Sequence, residues 1–369
     1  MKLNKKLTGK YSLTLENGDD NNVTVASGGV IFYGDEDTGV NAELIVKIEI
    51  KDNNLDGYGN DFFKDFKNLK KVYISNSESI PYRMLFGIAS LQVVSMPKVT
   101  TIGEQAFCDC KSLKTVNMPK VKTIGKQAFD NCTSLKTVDA DKVETINELA
   151  FAACRSLKTA NMPSVTTIGK QAFFECTSLK TANMPKVKTI ETGAFSGFNE
   201  SSLSLTTAKM DGVETIGIGA FSRCTKLKTA KMNEVETIGN SAFFGCSSLT
   251  TAKMDNVQKI GGQAFCECTS LKTANMPKVA TIGEKAFFKC SSLTTAKMDK
   301  VQEIGENAFR YCHNLKQVNM SGDAKVCDGA FENCQNLKTV YVDGNSDRII
   351  KDKDSLFKDS KDVNVVKKK

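Results

Sequence analysis

The chain of 369 residues has no tryptophan and a single histidine. That histidine, His313, follows Cys312, and adjacent side chains on a chain rarely form a productive nucleophile–base pair. No His-Glu-x-x-His metal motif and no Gly-x-x-x-x-Gly-Lys-Thr phosphate loop occurs. Gly217-Ile218-Gly219 lacks the third glycine of a dinucleotide fingerprint. The sequence therefore presents no catalytic constellation and implies no cofactor or metal. Nor is there an apolar run of 18 residues, so no membrane-spanning helix is expected. The opening segment, MKLNKKLTGKYSLTLENGDD, is basic but has no apolar core of signal-peptide length. It fits a cytosolic chain, or one whose leader has been removed. Charge of one sign is also scarce: 50 Lys and Arg stand against 42 Asp and Glu, a net +8. Lysines interleaved with acids at this modest excess describe a solvated surface, not a nucleic-acid site.

What the sequence has in abundance is a period. The segment LKTVNMPKVKTIGKQAFDNCTS, residues 113–134, returns lightly edited down most of the chain. Its phenylalanine recurs at Phe107, Phe129, Phe151, Phe173, Phe195, Phe221, Phe243, Phe265, Phe287, Phe309 and Phe331. Every step is 22 residues except Phe195 to Phe221, which is 26. A fixed period of that length is the signature of a solenoid.

Each unit opens with Leu-x-x-Val/Ala-x-Met, as in Leu113, Val116 and Met118. The alternation predicts a short strand with these groups inward and Thr115 and Asn117 outward. Pro or Asp follows, where a strand can end. Val121 and Ile124 add two apolar columns, and a glycine such as Gly125 usually stands four before the Phe. Asn147, Glu191 and Cys327 replace that glycine, so a left-handed backbone there is not required by the pattern. Ala-Phe-x-x-Cys predicts one short helical or 3₁₀ turn. No single unit can bury all of these groups, but stacked units can, each column becoming a stripe through the core.

These residues resemble the leucine-rich repeats of the BspA-like family. The resemblance rests on Leu-x-x-Val-x-Met-Pro, Val-x-x-Ile-Gly and Ala-Phe-x-x-Cys-x-Ser-Leu in residues 113–135, and covers roughly residues 62–344. It implies an α/β repeat solenoid, a right-handed leucine-rich-repeat-type superhelix of about 13 coils. It also implies a secreted or surface protein that adheres to host proteins or other cells.

Thirteen cysteines would suggest a disulfide scaffold, but ten of them share one register, three after the Phe: Cys110, Cys132, Cys154, Cys176, Cys224, Cys246, Cys268, Cys290, Cys312 and Cys334. Phe198 fills that register once, so the position asks for an apolar group, and buried free thiols are expected. Residues 1–61 lack the period. Short alternating runs between Gly, Asp and Asn turns predict a β-rich N-terminal cap whose last strand, near Ile45 to Ile50, pairs with the first coil. The solenoid is expected over residues 62–344, with an insertion near 196–204. Residues 345–369 are expected to form a closing half-coil and a frayed tail at Lys367, Lys368 and Lys369.

Function must lie in what varies on this regular scaffold. The outward column nearest the strand centre includes Tyr73, Asn117, Asn161, Asn183, Lys209, Lys231, Lys253, Lys297 and Tyr341. In solenoids of this kind the sheet lines the concave, binding surface. The lysines could seat an acidic partner. Alternatively they could balance Asp211, Asp255 and Asp299, each two residues along. Phe198, Asn199 and Glu200 in the insertion are a further candidate contact. The expectation is a non-enzymatic, adhesin-like surface protein that binds a protein partner, from a host or a cell surface. The alternatives are an intracellular scaffold using the same face and, third, an enzyme.

Overall fold

The computed structural model describes the strands Lys5–Lys6, Leu13–Asn17, Asn22–Val25, Ile31–Phe32 and Ile45–Ile50, then residues 53–55, 63–64, 66–197, 203–345, 347–357, 359–360 and 363–368. The chain divides into two compact units, 1–165 with 176–179, and 166–175 with 180–369. Both are parallel β-solenoids, in which each 22-residue coil supplies one strand to a broad ladder and a two-residue strand to a narrow one.

In the first unit the broad ladder begins with Ile45–Ile50, which pairs in parallel with Lys71–Ile74. Val93–Ser95 and Thr115–Asn117 follow in register. On its other edge, Ile45–Ile50 pairs antiparallel with Leu13–Asn17, which forms an antiparallel pair with Asn22–Val25. Thr137–Asp139 and Thr159–Asn161 form a further pair. The narrow ladder runs from Ser79–Ile80 through Thr101–Ile102 and Thr123–Ile124 to Thr145–Ile146.

In the second unit the narrow ladder runs unbroken from Thr167–Ile168 to Lys325–Val326. The broad ladder starts with Thr181–Asn183 beside Thr207–Lys209 and restarts at Thr229–Lys231. It continues through Thr251–Lys253, Thr273–Asn275, Thr295–Met298 and Gln317–Ser321 to Thr339–Asp343. Asn364–Lys367 closes it as a parallel edge strand. Lys367 ends that strand and Lys368 Nζ bonds Asp299 Oδ1, so neither is the loose tail that the run of lysines suggests. Phe357, after the short helices Asp347–Lys351 and Lys353–Leu356, caps the Phe331 ring at 5.4 Å.

The repeat columns form the core. Leu113, Met118, Val121, Ile124, Ala128, Phe129 and Cys132 are all buried in one coil. The phenylalanines stack: Phe107, Phe129 and Phe151 in the first unit at 5.1–5.2 Å. Phe173 to Phe331 stack in the second at 5.0–5.3 Å, their planes within 8° of parallel. Parallel strands repeat about every 4.8 Å, so the coil pitch dictates an offset stack, a favourable aromatic geometry. The four extra residues between Phe195 and Phe221 leave those rings 5.3 Å apart.

Ala-Phe-x-x-Cys is not helical, against the pattern-based expectation. It is a pair of turns, because the residues two before and two after the Phe are left-handed. Gln127 and Asn131 lie at φ 53° and 58°, and Gln263 and Glu267 at 57° and 60°. Positive φ at both ends stops a helix from propagating. The glycine four before the Phe has a different reason for being there. A Cβ on Gly125 would lie 2.6 Å from the Ile102 carbonyl oxygen, and one on Gly239 2.7 Å from the Gly217 backbone. Close approach between coils, not backbone handedness, selects glycine.

The cysteine column also has a physical reason. Each thiol donates to a carbonyl of the preceding coil: Cys132 Sγ to Phe107 O at 3.2 Å, Cys246 to Phe221 O at 3.2 Å, Cys290 to Phe265 O at 3.1 Å. The same Phe107 carbonyl accepts the Cys110 N–H at 3.2 Å. Cysteine is small and apolar yet carries one weak donor, which suits a buried carbonyl with a second lone pair. Burial holds these thiols protonated, pushing Cys246 and Cys334 up to about 12.

Candidate functional site

The broad ladder exposes alternate residues, as a period of two requires. Lys209, Lys231, Lys253 and Lys297 are exposed, while Met210, Met232, Met254 and Met298 beside them are buried. Register places Lys231 directly opposite Lys253, and Asn275 between Lys253 and Lys297. Asn183 pairs with Lys209 on the same unit's first strands. Like charges directly opposite one another are destabilising, so this column carries a small electrostatic penalty.

The aspartates do not relieve it in the way that their spacing suggests. Thr207–Lys209 and Thr251–Lys253 end before Asp211 and Asp255, which enter the following turn, so residues two apart no longer share a face. Lys231 reaches Asp211 of the neighbouring coil at 4.0 Å, with both side chains more than half exposed. Asp299 is taken by Lys368. Among the described residues, no acid lies within ion-pair distance of Lys209, Lys253 or Lys297.

A seam interrupts this face. Thr207–Lys209 and Thr229–Lys231 belong to separate sheets. Their central residues, Ala208 and Ala230, are half-exposed, whereas Ala252, Ala274 and Ala296 are buried. A cavity of about 30 Å³ opens there, reaching Met210, Phe221, Met232 and Phe243. Thr215–Ile216 and Thr237–Ile238 remain paired on the narrow ladder, so the coils part on one side only. The first unit has a matching seam between Thr115–Asn117 and Thr137–Asp139, where Val116 is half-exposed.

In the first unit, Tyr73 lies on its strand between Glu49 and Ser95, with the Lys47 ammonium 5.7 Å from the ring. Asn117 Nδ2 donates to Ser95 Oγ at 3.2 Å. Asn161 faces Asp139 in register. Tyr341 is flanked by Asn319 and Val366, so strands pair on both of its sides. Phe198, Asn199 and Glu200 lie outside the described residues.

The repeat also departs from itself at one turn. Where other coils carry Phe-Lys-Cys-Ser-Ser (288–292) or Cys-Glu-Cys-Thr-Ser (266–270), the coil of Phe309 reads Arg310-Tyr311-Cys312-His313-Asn314. Phe288 meets Tyr311 edge-on at 5.4 Å and 86°, and the Arg310 guanidinium sits 5.0 Å from the Tyr311 ring centre. His313 lies 5.8 Å from the same ring. Each of these residues is unremarkable by itself; the signal in the sequence is four departures in one coil, two on either side of the retained Cys312.

Comparison with known proteins matches the architecture. The BspA type leucine rich repeat region, in 6 copies, matches residues 40–114, 84–200, 144–256, 196–299 and 236–364. Among solved structures, a leucine-rich repeat protein from Bacteroides ovatus ATCC 8483 covers 98% of this chain and 99% of its own at 22% identity, with a TM-score of 0.55. A leucine rich cell surface protein from Faecalibacterium prausnitzii A2-165 covers 98% and 93% at 24% identity, with a TM-score of 0.46. No curated protein matches the sequence. With parallel coils, stacked phenylalanines and repeat matches from residue 40 to residue 364, the chain belongs to the BspA type leucine-rich repeat family.

Proposed function

We propose that this chain is a non-enzymatic, adhesin-like surface protein whose broad ladder binds an acidic protein partner. The observation that carries the reading is the lysine column. Lys209, Lys231, Lys253 and Lys297 are exposed on one face, two of them directly opposed. No described acid pairs with Lys209, Lys253 or Lys297. No packing role requires them, since Asn183, Asn275 and Asn319 hold the same register. A carboxylate-bearing surface would remove the repulsion and bring charge-assisted contacts. In the first unit, Tyr73, Asn117 and Asn161 are the contact residues of this reading. In the second unit, Tyr341 is a further contact residue. The insertion, Phe198 to Glu200, is proposed as an accessory contact. Residues 1–61 would act as the cap that covers the first coil.

The test is the quadruple variant Lys209→Asn, Lys231→Asn, Lys253→Asn and Lys297→Asn. Stability should change by less than about 1 kcal/mol, because exposed ion pairs contribute little. Proteins that wild type captures from cell extracts or host-cell surfaces should bind the variant more weakly, with a flatter salt dependence. Equal capture, with the same salt dependence, would refute the lysine reading.

A further inference from the structure

We infer that the turn around Tyr311 and His313 is a binding site for a neutral saccharide, separate from the broad ladder. Tyr311 is held at φ 63°. A left-handed backbone costs a bulky L-residue about 1–2 kcal/mol, and Asn131 and Asn333 occupy the same register at lower strain. The core does not ask for the ring, since Phe309 and Cys312 already fill it. Tyr311 is instead half-exposed, meets Phe288 edge-on and carries the Arg310 guanidinium over one face of its ring. A rigid, partly exposed aromatic face is the kind of platform on which the C–H face of a sugar ring lies, with little rotamer entropy lost on binding.

The polar groups around it fit the same ligand. Thr269, Lys289, Ser291, Tyr311 and His313 line one open pocket. In the two preceding coils the residue at the His313 register is a hydroxyl that donates to the carbonyl of the coil before, as Ser291 Oγ does to Thr269 O and Thr269 Oγ1 to Ser247 O, both at 3.4 Å. At His313 that carbonyl, Ser291 O, is taken by Asn314 Nδ2 at 2.8 Å. His313 Nδ1 is left buried without a hydrogen-bond partner among the described residues. A buried polar atom in that state gains from a ligand hydroxyl. The Ser291 and Thr269 hydroxyls donate to backbone but keep lone pairs with which to accept.

Charge decides the class of sugar. Lys289 Nζ pairs with Glu267 at 3.1 Å, and Arg310 with Glu332 at 2.9 Å. Each cation is matched, so the pocket has no excess charge to hold a carboxylate or phosphate. It does offer the Lys289 ammonium as a donor and the Thr269 and Ser291 hydroxyls as acceptors, which suits the hydroxyls of a neutral pyranose.

The test uses the full chain with glucose, galactose, mannose and N-acetylglucosamine as probes, and glucuronate as the charged control. Saturation-transfer NMR reports contact and titration calorimetry reports affinity. The variants Tyr311→Asn and His313→Ser each install a residue that neighbouring coils already carry, and thermal unfolding checks that both stay folded. At least one neutral sugar should bind wild type. Tyr311→Asn should weaken it by about tenfold or more, His313→Ser should also weaken it, and glucuronate should bind no better than glucose. Three results would each overturn the inference: no neutral sugar binds, Tyr311→Asn binds as wild type, or glucuronate binds more tightly.

Discussion

The narrow and broad ladders of the second unit are made by the same coils at the same pitch, yet only the narrow one is continuous. Its inward residues are isoleucines such as Ile190, Ile216 and Ile238, all buried. Glycines beside them let the backbones of successive coils approach, and the phenylalanine stack lies within the same coils. The broad ladder has alanine at its inward centre and opposed lysines outside. Alanine removes much less apolar area from water than isoleucine does, and the lysines repel. Cohesion between coils therefore sits on the Ile and Phe side. The lysine side is held weakly enough to open.

Raising the pH strikes the strongly held side and should have the largest effect. The buried thiols stay protonated in the folded chain, with Cys246 and Cys334 near 12, while unfolded thiols ionise near the ordinary value of about 8.5. The unfolded state then binds fewer protons, so stability is intact below about pH 8.5 and falls as pH rises toward 12. Each fully buried thiol contributes a loss of about 1.4 kcal/mol per pH unit across that window. Guanidinium unfolding midpoints between pH 7 and 10.5 measure this. A flat profile would mean that the thiols are not buried donors.

Phe243→Ala should destabilise the protein by about 3–5 kcal/mol, the usual range for truncating a fully buried aromatic. An unchanged unfolding midpoint would show that the ring stack is not what holds the coils together. A smaller effect separates closed ladder from seam. Ala274→Val adds two methyl groups' worth of bulk at a closed, buried position and should cost about 1–3 kcal/mol. Ala230→Val, beside the cavity, should cost less than about 1 kcal/mol. Equal penalties would mean that the seam is closed in solution. Smallest in energy is local opening: amides of Thr229–Lys231 should exchange with deuterium faster than those of Thr237–Ile238 in the same coil. Matching rates would erase the distinction between the two ladders.

Much of the fold was legible in the residues. The 22-residue step, the strand at Thr115–Asn117 and the burial of Phe129 and Cys132 all follow from column chemistry. The Ala-Phe-x-x-Cys turn was misjudged because apolar spacing cannot report φ, and two left-handed residues per coil replace the expected helical turn. The pairing of Lys209 with Asp211 failed for a related reason: spacing along the chain does not reveal where a strand stops. Of the proposed binding residues, the exposed lysine column could be read from the sequence, whereas the group around Tyr311 shows there only as departures from the repeat in one coil. Its members come from three coils and meet only through stacking.

By itself the sequence determined a stack of like coils, because a period that buries every column only when units lie on one another admits no other economical arrangement. It also determined which columns are core, since Leu, Val, Ile, Phe and Cys recur where no polar residue is tolerated. Only the tertiary structure decided where the broad ladder parts, which acids meet which lysines, and why glycine and cysteine hold their registers. Those depend on distances between coils of a few ångströms: a Cβ that would sit 2.6 Å from a carbonyl, or a thiol 3.2 Å from the next. Contacts of that kind are made by residues 22 or more apart in the chain, and come into being only when one coil settles on another.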